Sequence, residues 1–236
     1  MNLQILIPIT IVLIVGTIFY LVYFFSRKAV VKRKLKKAVE SKISDFISGD
    51  IAKVVGTVEF VGEPLIAPLS GRQCAYYYVL VEELISDGKN SHWRKMIERE
   101  VGGKFVIRDG RHRAYISTDS TIKSYIVMDK KYSSGFMENA TENLEKFLQN
   151  HGQTSKGFLG VNRKIRYKEG VLEAGECIAV MGKGEWKTAA AVQLPDTFGR
   201  VLVISTTEAE PVYLSDDPDT VKTKYNDLLG LNETRI

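Results

Sequence analysis

Five side chains of this sequence could act as thiolate nucleophiles, metal ligands or proton carriers near neutral pH: Cys74, Cys177, His92, His112 and His151. A nucleophilic thiol needs a lowered pKa and a neighbouring base, and Cys74, at the head of CAYYYVLVEEL, has no such partner in its segment. It reads as a small buried residue. No two of the five stand in CxxC spacing, and two cysteines make no disulfide framework, which fits a reducing compartment. Glu82, Glu83, Glu98 and Glu100 face Arg94, Lys95 and Arg99 across a candidate hairpin. Solvated cross-strand pairs account for them better than an acid/base dyad. Tyr76-Tyr77-Tyr78 could form a stacking surface, but alternation along a strand sends at least one ring into the core. His92 and Trp93, beside Arg94 and Lys95, read as a partly exposed strand edge. Gly182-Lys183-Gly184 completes neither GxxxxGK[ST] nor GxGxxG, so it is expected to be a turn after a strand over Glu176–Met181. No acid, base and nucleophile converge and no cofactor motif is present, so the expectation is a non-catalytic protein with no metal and no cofactor.

The element that must position everything else lies at the start. Gln4 to Phe25 carries no charged side chain, and about 20 apolar residues suffice for a helix to cross a bilayer. It is followed by RKAVVKRKLKK, where Arg27, Lys28, Lys32, Arg33, Lys34, Lys36 and Lys37 are basic and nothing is acidic. A cleaved signal peptide would carry its charge before a shorter apolar run, with a small-residue cleavage site after it; neither feature is here. The positive-inside rule predicts a single-pass anchor with its N-terminus outside and the rest cytoplasmic, in the cell membrane if the source is prokaryotic. That placement makes the sequon at Asn139 irrelevant. Lys plus Arg total 33 against 28 Asp plus Glu, and without the seven collar bases the balance is 26 against 28. The basic excess therefore belongs to the collar, which suits anionic lipid and argues against nucleic-acid binding by the globular part.

Three units follow: a transmembrane anchor over 1–26, a basic amphipathic juxtamembrane stalk over 27–48, and a β-rich cytoplasmic domain over 49–236. In the stalk, Val31, Leu35, Ala38, Val39, Phe46 and Ile47 recur near a helical period, with Ser48-Gly49-Asp50 as the stop. Its apolar stripe could lie on lipid or pack on the following domain. Beyond Gly49, β-branched and aromatic runs between Gly, Pro and Asp predict strands at Ala52–Phe60, Cys74–Leu84, His92–Val101, Phe105–Ile107, His112–Ser117, Ile122–Met128, Lys164–Lys168, Glu176–Met181, Val201–Thr206 and Val212–Leu214. A helix around Leu144, Phe147 and Leu148, with Asn139 and Glu142 at capping-box spacing and Gly152 after it, covers the sheet; a second, short one carries Val221, Tyr225 and Leu228. The fold class is α+β: a membrane helix, then a mixed or antiparallel sheet, barrel-like or sandwich, with two amphipathic helices. Its core should contain Tyr77, Val79, Val81, Ile165 and Val180.

Two blocks, PLIAPLSGRQCAYYYVLVEE (Pro64–Glu83) and NRKIRYKEGVLEAGECIAVMGKG (Asn162–Gly184), resemble the GIDE family, to which the Mulan-type membrane-anchored E3 ubiquitin ligases belong. The matching positions are Pro68, Gly71, Cys74, Tyr76, Tyr77, Tyr167, Glu169, Leu172, Gly175, Glu176 and Gly182, in the same order after a membrane helix. The resemblance implies a "beside a membrane" domain that engages proteins next to the bilayer. The ligases add a second membrane helix and a RING, which holds two zinc ions through about eight ligands. This chain ends at Ile236 and owns five Cys and His, so ubiquitin transfer does not carry over. The leading expectation is a module that binds an unidentified protein partner or the membrane surface. Recognition should sit on the irregular loop Pro64–Arg72 and on turns near Asp87 and Lys183, because loops on a rigid sheet carry it. The rival expectation is an enzyme component, either a ligase-like protein working with a separate RING subunit or an unrecognised hydrolase.

Overall fold

Along Ile51–Phe60 (β1), Ala52, Val54 and Val58 are buried. Four more strands close a ring with it. In the computed structural model, which describes residues 3–117, 120–134, 140–157 and 161–222, β1 pairs antiparallel with β6 (Phe105–Asp109) and β6 with β7 (His112–Ile116). β7 runs parallel to β12 (Arg200–Ser205), β12 pairs with β11 (Cys177–Thr188), and β11 returns to β1. The result is a closed five-stranded barrel. Of its strands, β6, β7 and β12 carry runs of consecutive buried residues, so both of their faces are covered. Counted within the ring, the strands run 1-2-3-5-4-1 with the third parallel to the fifth, the connectivity of Greek-key barrels of OB type. Ile107, Ile116, Ile178, Val180, Leu202 and Ile204 fill its interior. β11 also carries β13 (Val212–Ser215), which pairs with β8 (Ile122–Tyr125).

A second sheet is inserted between the barrel strands. Tyr76–Ser86 (β4) lies between Ser91–Gly102 (β5) and Ile165–Leu172 (β10), with Lys130–Ser134 (β9) outside β10. The two-residue strands Leu65–Ile66 (β2) and Gln73–Cys74 (β3) frame the loop before β4. Val79, Val81, Ile97 and Ile165 pack beneath Leu144, Phe147 and Leu148 of a helix over Glu142–Asn150, so the amphipathic stripe read from the sequence does cover a sheet. Of the predicted core, Val79, Val81, Ile165 and Val180 are fully buried, while Tyr77 is half-buried.

At the N-terminus, Leu3–Phe24 is helical (α1) and Arg27–Lys37 forms α2; the helix over Glu142–Asn150 is α3, and Pro218–Val221 is α4. Among the described residues no single helix is long and apolar enough to cross a membrane. Thr10–Phe24 meets that test only together with α2, across a 60° bend.

Several expectations are corrected. The stalk helix stops at Lys37 rather than near Ile47: Ala38 is extended, Val39 accepts from the Lys53 N–H, and Ile43 and Phe46 turn into the barrel core. Burying those two side chains outweighs continuing the helix, because each fills space inside the barrel. For the same reason residue 49 is not where packing begins. The cap of α3 is Thr141, whose hydroxyl accepts from the Leu144 N–H at 3.3 Å. Asn139 and Leu228 lie outside the described residues. Gly182 and Gly184 are not in a turn but in the middle of β11. A Cβ on Gly182 would stand 2.6 Å from Ile204 Cγ2, and one on Gly184 would stand 2.3 Å from Phe46 Cε1. Their glycines make room inside the barrel. β9 went unread because KKYSS has no apolar alternation; its pairing with β10 makes it a strand.

Candidate functional site

The two sequence blocks that carry the family resemblance meet in one sheet. β4 and β10 are antiparallel, with Val81 opposite Tyr167, Val79 opposite Glu169, Tyr77 opposite Val171 and Tyr76 opposite Leu172. The Glu169 carboxylate, 2% exposed, accepts from the Leu69 N–H at 2.9 Å and the Ser70 N–H at 3.0 Å. The stretch between Pro64 and Arg72 is therefore a pinned turn and not an irregular loop. Within it the Ala67 N–H donates to the Arg72 carbonyl at 2.8 Å, Gly71 takes φ +71°, and Pro68 is half-buried. Arg72 reaches Asp129 at 2.6 Å and Glu173 at 3.2 Å. Cys74 is fully buried below this turn, and burial pushes its thiol up to about 11, so it is no nucleophile at neutral pH. Tyr76 is buried in the barrel core and its hydroxyl donates to Glu100. Gly175, at φ +90°, donates to the Val58 carbonyl at 2.9 Å, and the Glu176 carboxylate accepts from the Glu173 N–H at 3.0 Å. The motif positions join the inserted sheet to the barrel.

The collar residues are brought together differently. α2 is capped by Ser26 and lays Val31 and Leu35, both fully buried, against Ala179 and Tyr213 on the outside of the barrel sheet. Of the two fates open to its apolar stripe, the structure takes packing on the domain. Its bases then meet a rim of carboxylates. Arg27 pairs with Glu100, Lys34 with Glu210, Lys32 with Asp217 at 3.0 Å and Asp219 at 2.9 Å, and Lys36 with Asp219 at 3.2 Å. Bonds from Lys32 and Lys36 hold the Asp219 carboxyl down to about 2. Lys28 stands 4.9 Å over the Tyr125 ring, and Arg33 lies 4.0 Å over Phe24 while donating to its carbonyl at 3.2 Å. Lys37 is exposed at the end of the helix.

The remaining candidates stay apart. His92 lies exposed on β5, an edge strand as expected, and Arg166 covers Trp93 at 4.3 Å. His151 caps α3 through the Phe147 carbonyl at 2.8 Å and accepts from Arg99 at 3.1 Å. Glu83 pairs across the hairpin with Arg94, and Glu82 with Arg166 at 2.7 Å. His112, Arg108, Arg111, Lys42 and Cys177 share an open groove of 640 Å³ beside the β6–β7 turn. Among the described residues no three His, Cys, Asp or Glu side chains stand together as a metal site.

No family model, curated protein or solved structure matches this chain. What the chain can do therefore rests on its own geometry. That geometry singles out residues the sequence reading passed over: Glu210, Asp217 and Asp219, which receive α2, and Asp216, whose carboxylate accepts from the Val127 N–H at 2.8 Å. The run of acids in the sequence around 216–219 was the available signal for the receiving rim; nothing local in it says that α2 is its partner.

Proposed function

We propose that this chain is a single-pass membrane protein in which α1 spans the bilayer, N-terminus outside. It presents a β-rich module of GIDE type at the cytoplasmic face, where that module binds a protein partner or the membrane surface without catalysing a reaction. The observation that carries the reading is the bareness of α1. Its apolar side chains from Ile11 to Tyr23 are open, with Phe19 72% and Tyr23 76% exposed, and nothing among the described residues covers them. An apolar surface of that extent calls for lipid or a partner. The helix is 22 residues long, about 33 Å at 1.5 Å per residue; its described stretch Thr10–Phe24 is by itself too short for the ~30 Å of a bilayer core, so the span draws on the uncharged residues from Gln4 as well. The GIDE-type part of the reading is supported by the convergence of both blocks on the β4–β10 pair. Anionic lipid at the collar and a protein partner near the rigid turns are its binding targets. The test is protease protection of the full chain in sealed vesicles, together with extraction at alkaline pH. The chain should resist extraction, and protease on the cytoplasmic side should reach loops beyond residue 48. A chain released by alkali, or a domain shielded from that protease, would overturn the reading.

A further inference from the structure

The bend between α1 and α2 leaves a cleft of 390 Å³ where the apolar helix gives way to the basic one. Tyr23 borders it on the α1 side, and Lys28, Lys32, Arg33, Lys36 and Lys37 line the rest; no carboxylate belongs to its wall. Residues 28, 32 and 36, like 33 and 37, are four apart and so share one side of α2. The helix thus divides its charge. Arg27 and Lys34 are committed to Glu100 and Glu210, and Lys32 and Lys36 share Asp219 with the domain. Arg33 and Lys37 form no ion pair among the described residues, and Lys28 is drawn to Tyr125, with the Asp217 carboxylate acting on it only beyond ion-pair distance. Arg33 is held in place by the Phe24 carbonyl and ring, which leaves further N–H donors of its guanidinium for a ligand. Cations crowded on one helix face repel one another until an anion joins them.

We propose that this cleft binds the phosphate headgroup of one anionic phospholipid, with the acyl chains lying along α1. The inference rests on the membrane-spanning reading of α1 and deepens it, turning diffuse attraction of a basic collar into a defined site. A lipid, rather than a soluble phosphate, fits because the cleft opens beside Tyr23, an exposed aromatic residue at the end of α1, where headgroups lie. Arg33 supplies the planar fork suited to phosphate oxygens, and Lys28 and Lys37 supply point charges.

The test uses the full chain in detergent, titrated with phosphatidylglycerol or phosphatidylcholine and followed by native mass spectrometry, with thermal unfolding in parallel. One phosphatidylglycerol per chain should bind saturably, and phosphatidylcholine should not. The triple variant Lys28→Gln, Arg33→Gln, Lys37→Gln should bind phosphatidylglycerol at least tenfold more weakly with an unchanged unfolding midpoint. Should that variant fold poorly, Lys37→Glu alone, at the exposed end of α2, should weaken binding at least threefold. Arg108→Gln with Arg111→Gln, in the distant groove, should leave binding unchanged. Equal binding by the Lys28/Arg33/Lys37 variants, uptake without saturation, or displacement by equimolar inorganic phosphate would each overturn the proposal. A chain that inserts into vesicles yet shows any of these results loses only the headgroup site. One that alkali extracts loses the membrane reading itself.

Discussion

Glu169 shows how a conspicuous residue acquires its meaning. A buried carboxyl group, 2% exposed, is costly unless its oxygens are satisfied, and here the amides of Leu69 and Ser70, about 100 positions away in sequence, satisfy them. Asp216 is the contrasting case. Burial, with Glu176 and Asp129 adding repulsion, raises its carboxyl to about 6 despite the bond from Val127. A carboxyl raised on folding keeps its proton longer in the folded state. Its contribution is therefore favourable below the ordinary value near 3.8 and is lost as pH climbs through about 6. Asp216→Asn keeps an oxygen for the Val127 N–H and removes the buried charge. It should raise stability at pH 7 by about 1–2 kcal/mol, allowing for residual solvent, and change little at pH 3.5. Denaturant unfolding at the two pH values checks this; an equal effect at both would show that Asp216 carries no buried charge. The motif reading marked Glu169 but not Asp216, since SDDPD looks like an exposed acidic turn until Val127 is seen to close over it.

At the scale of elements, α2 is where the sequence left two fates open and packing chose. A stripe of Val31 and Leu35 within a run of bases suits lipid and protein alike. The barrel's outer face offers Ala179, Tyr213 and half-buried Val55, Tyr125 and Met181, and a ring of carboxylates lies at matching positions. The exposed ion pairs contribute little each, so the apolar seat carries most of the docking. Leu35→Ala should then cost about 3 kcal/mol through the lost contacts and the cavity left behind. Lys36→Ala, which breaks one exposed pair, should cost under about 1 kcal/mol. Measured unfolding free energies decide it; a Leu35 loss no larger than that of Lys36 would mean that α2 does not dock on the barrel in solution.

For the whole molecule, the consequence is that the folding unit begins at α2. Ile43 and Phe46 sit inside the barrel, Trp186 Nε1 donates to the Phe46 carbonyl at 2.9 Å, and Lys53, 5% exposed, is paired with Glu40 at 3.1 Å. A fragment starting at Gly49 removes all of these partners and leaves Lys53 buried without Glu40. A fragment starting at Ser26 keeps them. The longer fragment should give a cooperative unfolding transition and a β-rich spectrum. The shorter one should lose several kcal/mol, aggregate, or unfold without cooperativity, since cavity and unpaired-charge penalties add. Equal midpoints for the two would show that residues 26–48 are dispensable to the barrel.

The sequence by itself determined what depends on neighbours along the chain. Its uncharged run of about 20 residues, the basic collar, the period-2 strands and the stripe of α3 are all local patterns set by hydrophobic periodicity. Most strands therefore stand where alternation placed them. Only the tertiary structure decided that five of those strands close a ring, because β1 finds β11 more than 100 positions later and β7 finds β12 in parallel, through pairings no local pattern specifies. It also decided that Gly182 and Gly184 stay extended, since the space their missing Cβ atoms vacate is claimed by Ile204 and Phe46 from other parts of the chain. And it decided the fate of the collar, because a lysine's charge is legible in sequence while the carboxylate that meets it, at residue 210, 217 or 219, is placed by the fold alone.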